Sequence, residues 1–238
     1  MCFSAPVSFS ASAALAAIGI AGTYFALHGN KRFFALNMMI FFYAIQQFAE
    51  GMIWIQSPIL TPQFWGILFL FFAFFVYPWF AALGCYFLTR QTRLKKRILW
   101  IMGCGFIFGA WAFSNVLFMP NLSLAQCHLH IFYNVQLMGG YKISGPLMYI
   151  VITAYVFLTS APFFISDRRY LSMVGWAVVV SAVICWNIYL DYFVSLWCFY
   201  AAVIAGCISA LTYFQWLKKY NRRDVDLYPK GTRSRLSP

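Results

Sequence analysis

The chain has 238 residues, of which 63% are hydrophobic, 21% aromatic and only 9% charged, and its mean hydropathy is +0.74. A water-soluble domain of this length cannot cover so apolar a composition with polar groups. The formal charge of +12 would suit a nucleic acid, but the basic residues stand in short clusters between apolar runs rather than along an amphipathic face. They read as topology signals, with no nucleic-acid partner.

A hydrocarbon core of about 30 Å takes about 20 apolar residues per helix. Cutting the chain at Lys/Arg clusters and at Pro, Gly, Asn and Gln punctuation predicts seven spans. They are Val7 to Leu27, Phe33 to Ile55, Phe64 to Leu88, Ile98 to Phe118, Pro146 to Ile165, Leu171 to Tyr189, and Phe193 to Leu217. Met1 to Ser10 carry no basic leader, so the first run is read as a retained helix rather than a cleaved signal. Between the last two spans the connection is very short, with Asp191 as its only charge.

Lys31 and Arg32 follow the first span, Arg90, Arg93, Lys95, Lys96 and Arg97 the third, and Arg168 and Arg169 the fifth. After the seventh come Lys218, Lys219, Arg222, Arg223, Lys230, Arg233 and Arg235, while the opposite side holds only Lys142. Cytoplasmic loops carry the Lys/Arg excess, and an even number of spans would break the alternation. The expectation is an all-α polytopic protein of the plasma (inner) membrane, N-terminus outside and C-terminus in the cytoplasm. Residues 1–217 would form the transmembrane domain. Residues 218–238 would be a basic tail, disordered and lying near anionic lipid headgroups.

A charged side chain at the centre of a spanning helix costs about 2.5–3.5 kcal/mol on insertion scales, so polar groups within spans are candidates for function. Glu50 is the only acidic residue well inside a span, with Gln46 and Trp54 on its helix face and Gln47 one turn before it. By topology the group falls in the outer half. Ser114, Asn115, Asn187, Asp191, Ser195 and Cys198 fall at similar depth, which predicts a water-accessible outer pocket.

The outer loop after the fourth span adds Cys127, His128, His130, Tyr133 and Asn134. His128 and His130, with Glu50 and Asp191, have the residue types of a zinc or copper site, although no helical His pair supports it. Removal of Met1 would expose the amine and thiol of Cys2, which could chelate a metal or act as a nucleophile. Cys2, Cys127 and Cys198 all map outside, where a disulfide could form. Asn121-Leu122-Ser123 fits a glycosylation sequon. No span contains the lysine of a retinal Schiff base, no histidine lies at depth for haem, and no nucleotide-binding or Ser-His-Asp signature occurs.

The opening Met1-Cys2-Phe3-Ser4, the stretch Gln47-x-x-Glu50-Gly51-x-x-Trp54, and Ser195-Leu196-Trp197-Cys198-Phe199 followed by Ala201-Ala202 together resemble a family of small bacterial multipass membrane proteins of unknown function. The resemblance spans the chain and implies a bacterial inner-membrane protein, without an activity. It coincides with the outer group at Cys2, Glu50 and Cys198. The leading functional expectation is a sensor-like or transporter-like protein binding a small ligand or ion around Glu50. The alternatives are a membrane-embedded metal-dependent hydrolase acting on lipids and an accessory subunit of a larger complex. No catalytic residue is assigned.

Overall fold

A computed structural model describes residues 4–55, 63–118, 123–127, 130–134, 146–188 and 193–227. Cys2, His128 and Asp191 lie outside the described residues, and of His130 only the backbone is described. Among the described residues seven helices are long and apolar enough to cross a membrane.

Helix α1 is Ala5–His28, opened by Pro6, whose missing N–H costs nothing in a first turn. A 3₁₀ turn, Lys31–Phe33, leads into α2, Phe34–Ile55. Helix α3 has three stretches: α-helical over Gln63–Leu70, π-helical over Phe71–Val76, and α-helical again over Tyr77–Leu88. Then come α4, Thr92–Leu117, α5, Pro146–Ile165, α6, Arg169–Ile188, and α7, Phe193–Leu227.

Two helices outrun their predicted spans by more than two residues. Helix α4 begins at Thr92, so Arg93, Lys95, Lys96 and Arg97 are helical, and α7 continues through Lys218, Lys219, Arg222 and Arg223 to Leu227. The disordered tail expected from Lys218 is therefore helix for its first ten residues. Charge ends a membrane span, but Lys and Arg are good helix formers and do not end a helix.

The segment read as a loop after the fourth span holds a two-stranded antiparallel hairpin, β1 (Ser123–Cys127) and β2 (His130–Asn134), with Cys127 paired to His130. The fold is thus helical with one small β-element. Ile131 of β2 is fully buried in the main core, and β2 contacts α7.

Helices α2 and α3 form the centre: 56% of the apolar stretch of each is buried, against 22% for α1 and for α4. Around them α1 packs on α2 and α7, α4 on α3 and α5, and α6 on α5 and α7. Trp100 and Met173 stand 78% and 73% exposed on the outer surface, as expected where that surface meets lipid rather than water.

Helices α1 and α7 run parallel, because Trp216 packs on Phe25 and Lys219 Nζ donates to Gly29 O at 2.8 Å. That ammonium sits on the C-terminal carbonyls of α1, where a cation is favoured. The basic connections meet at the same end of the bundle. Both carboxylate oxygens of Asp167, in the α5–α6 connection, accept from the Arg90 N–H of the α3–α4 connection at 3.2 Å. Arg168 Nε donates to Leu88 O at 3.2 Å.

Candidate functional site

The π-helical stretch organises the bundle centre. Pro78 has no N–H, and the Tyr77 N–H bonds to Phe72 O, five residues back. Ala73 O therefore lacks both backbone donors that a helix would offer it, the N–H groups four and five residues ahead. The Tyr155 hydroxyl, from α5, takes their place by donating to Ala73 O. On the other flank, α4 approaches through Gly105 and Gly109. A Cβ at Gly105 would lie 2.2 Å from Pro78 O, and one at Gly109 would lie 2.8 Å from Phe75 O. Only glycine allows the α4 backbone so close.

Against this stretch α2 sets three wholly buried polar side chains: Gln46 and Glu50 at 0% exposure and Gln47 at 1%. Gln46 joins three helices. Its Oε1 accepts from the Tyr77 hydroxyl at 2.8 Å, and its Nε2 donates to Phe69 O at 3.3 Å and to Cys198 Sγ of α7 at 3.4 Å. Gln47 Nε2 donates to Glu50 Oε2 at 3.2 Å. One turn beyond, the buried Trp54 Nε1 has no hydrogen-bond partner among the described residues, and neither does the buried Ser8 hydroxyl of α1.

Beside this network lies a cavity of about 40 Å³, lined among others by Tyr43, Tyr77, Tyr155, Trp197 and Cys198. Tyr43 and Tyr77 stack at 4.4 Å between ring centroids, and Trp197 meets the Tyr155 ring edge-on at 5.1 Å. The Trp197 indole is fixed by donating to Ser181 Oγ of α6 at 3.1 Å. Five helices thus contribute to the cavity or its supports, and its walls are mostly aliphatic and aromatic, with a few hydroxyl groups and the Cys198 thiol among them.

The structure brings together Gln46, Gln47, Glu50 and Cys198 of the predicted site, with Trp54 one turn away. Of the three cysteines among which a disulfide could form, Cys198 is a free thiol, buried and engaged with Gln46. Asn115 is buried but bonds back to Trp111 O of its own helix at 2.7 Å. Asn187 is exposed and bonds back to Val183 O at 2.8 Å, so it does not join the group. Among the described residues no three His, Cys, Asp or Glu side chains gather as a metal site would need, and His128 and Asp191 lie outside them.

The chain matches a family over residues 1–225. It belongs to the family of unknown function DUF6629. No curated protein and no solved structure was found to match it. Membership of DUF6629 covers all seven helices and adds no activity.

Sequence reasoning missed Tyr43, Tyr77 and Tyr155, because aromatics in apolar runs carry no mark of a polar role, and it held Trp197 only as part of the Ser195–Phe199 stretch. It also missed a second buried knot. Asn37 Nδ2 donates to Phe33 O and to Thr212 Oγ1, both at 3.0 Å, and Ser209 donates to Asn37 Oδ1 at 3.0 Å. This knot ties α2 to α7 beside Gly22 of α1, where a Cβ would lie 2.1 Å from Asn37 Oδ1. A polar residue inside the second predicted span was the available signal.

Proposed function

We propose that this protein is a multipass protein of the plasma membrane, N-terminus outside and basic end in the cytoplasm, whose Glu50-centred site takes up a proton or a small cation. The basic clusters that follow the first, third, fifth and seventh helices support the orientation. One observation carries the functional reading: a wholly buried carboxyl group, held by Gln47, stands beside the Gln46–Tyr77–Cys198 network and a very small cavity.

Size decides among ligands. A water needs about 10–15 Å³ by this measure, so a 40 Å³ cavity admits about three waters or one partly dehydrated ion. Metabolite pockets run to about 300–1,000 Å³. A carboxyl group inside lipid with amide, phenol and thiol neighbours is the chemistry of a proton or cation relay. Tyr77 and Cys198 both bond to Gln46, one turn of α2 before Glu50, and both line the cavity, which makes them the groups that connect the cavity to the neighbourhood of Glu50.

Labelling with a lipid-soluble carbodiimide, mapped by mass spectrometry, tests this reading. The reagent adds to a protonated carboxyl group in an apolar setting, so Glu50 is the expected site within the spans. Labelling should slow as pH rises or as the competing cation is added. A Glu50 that stays unlabelled at every pH, or that reacts at a rate independent of both pH and cations, contradicts the proposal.

A further inference from the structure

The end of the bundle remote from Glu50 holds a different concavity, of about 510 Å³, lined by Asn30, Arg32, Thr89, Arg90, Lys95 and Arg168. Its cations come from three separate parts of the chain: Arg32 before α2, Arg90 between α3 and α4 with Lys95 in the first turn of α4, and Arg168 between α5 and α6. Topology signals alone require that these residues share a side of the bilayer, not that they face one hollow.

Among the described residues one carboxylate, Asp167, adjoins these four cations. Its two oxygens accept from the Arg90 backbone N–H, and its ion pair with Arg168 is long at 3.9 Å. Lys95 Nζ lies over the Tyr86 ring at 4.9 Å from the centroid, a contact that leaves the ammonium's own donors open to an anion.

Helix polarity adds to the excess. Helices α2, α4 and α6 all begin at this end, where the macrodipole is positive, and none has an acidic residue in its first turn. The first turns of α4 carry Arg93, Lys95, Lys96 and Arg97, and its cap residue Gln91 makes no side-chain capping bond. Cations at a helix start are unfavourable unless an anion joins them.

We propose that this concavity is a binding site for a phosphate group, either free or carried by a lipid headgroup. Three guanidinium groups and an ammonium, brought together from separate parts of the chain, suit the oxygens of a tetrahedral dianion, with Arg able to give paired hydrogen bonds. The volume is within the range of ligand pockets, in contrast to the cavity beside Tyr77. The proposal stands independently of the role assigned to Glu50.

Calorimetric titration of the purified full chain in neutral detergent tests it, with inorganic phosphate and short-chain phosphatidic acid as probes and short-chain phosphatidylcholine as the uncharged comparison. The double variant Arg32→Gln, Lys95→Gln removes two pocket cations; Lys96→Gln, Arg97→Gln removes the same charge from the same end outside the pocket. The pocket variant should bind at least about tenfold more weakly, and the comparison variant within about twofold of the parent. Melting temperatures of both variants identify any loss due to unfolding, and single variants at the same positions replace a double that fails to fold. Saturation by phosphatidic acid alone identifies a lipid site, and saturation by both probes a site for the phosphate itself. Equal weakening in the two doubles, or no saturation with either probe, overturns the proposal.

Discussion

The hydroxyl of Tyr155 substitutes for two missing backbone donors at Ala73 O, so Tyr155→Phe removes one hydrogen bond and keeps the ring on Trp197. Leaving a buried acceptor unsatisfied costs about 1–3 kcal/mol, and side-chain hydrogen bonds measured within membranes reach about 1.7 kcal/mol. The overlap, about 1–1.7 kcal/mol, corresponds to a fall of about 2–7 °C in Tm for a chain of this size. Thermal unfolding in detergent, followed by tryptophan fluorescence, measures it. The decisive form is a double-mutant cycle with Pro78→Ala, which restores an N–H that can reach Ala73 O five residues back. In that background Tyr155→Phe should cost less than half as much. Equal costs in the two backgrounds would refute the claim that Pro78 and the π-helical stretch create the need for Tyr155.

Gly105→Ala places a methyl group 2.2 Å from Pro78 O and should cost about 1–3 kcal/mol of overpacking, whereas Gly103→Ala meets nothing within 4 Å and should be neutral or gain up to about 1 kcal/mol; the two melting curves check the contrast. Gly22→Ala drives a methyl group into Asn37 Oδ1 and Ser209 Oγ, so its melting temperature should fall by about as much as that of Gly105→Ala. In intact membranes a lipid-soluble maleimide should label Cys104 and Cys207, which are exposed on the outer surface, and spare the buried Cys85 and Cys198; peptide mapping after labelling reads this directly.

The helices were legible because lipid demands long apolar runs, and the α3 and α5 boundaries at Leu88 and at Pro146 and Ile165 follow from that demand. The ends of α4 and α7 were not, since the same Lys and Arg residues that stop a span continue a helix. Gln46, Gln47 and Glu50 stood out because amides and carboxyl groups are costly in lipid. Tyr77 and Tyr155 did not, because their role comes from a local helical irregularity and not from residue type. Asn37 carries the same signal as Gln46, but its partners Ser209 and Thr212 lie 172 and 175 residues away, a pairing that only the packing of α2 on α7 reveals. The hairpin at Ser123–Asn134 lacks the strict alternation and Gly-containing turn that would announce it. Among the described residues Ile131 anchors it in the core.

The central claim is that Glu50 handles a proton or small cation. It is tested most directly with purified protein in liposomes containing a pH-sensitive dye, under an imposed ion gradient and membrane potential. The wild-type chain should collapse the gradient at least about tenfold faster than Glu50→Gln, which keeps the shape and the hydrogen-bonding capacity of the side chain. Equal rates for the two proteins, or a wild-type rate no greater than that of empty liposomes with every cation tried, would contradict it.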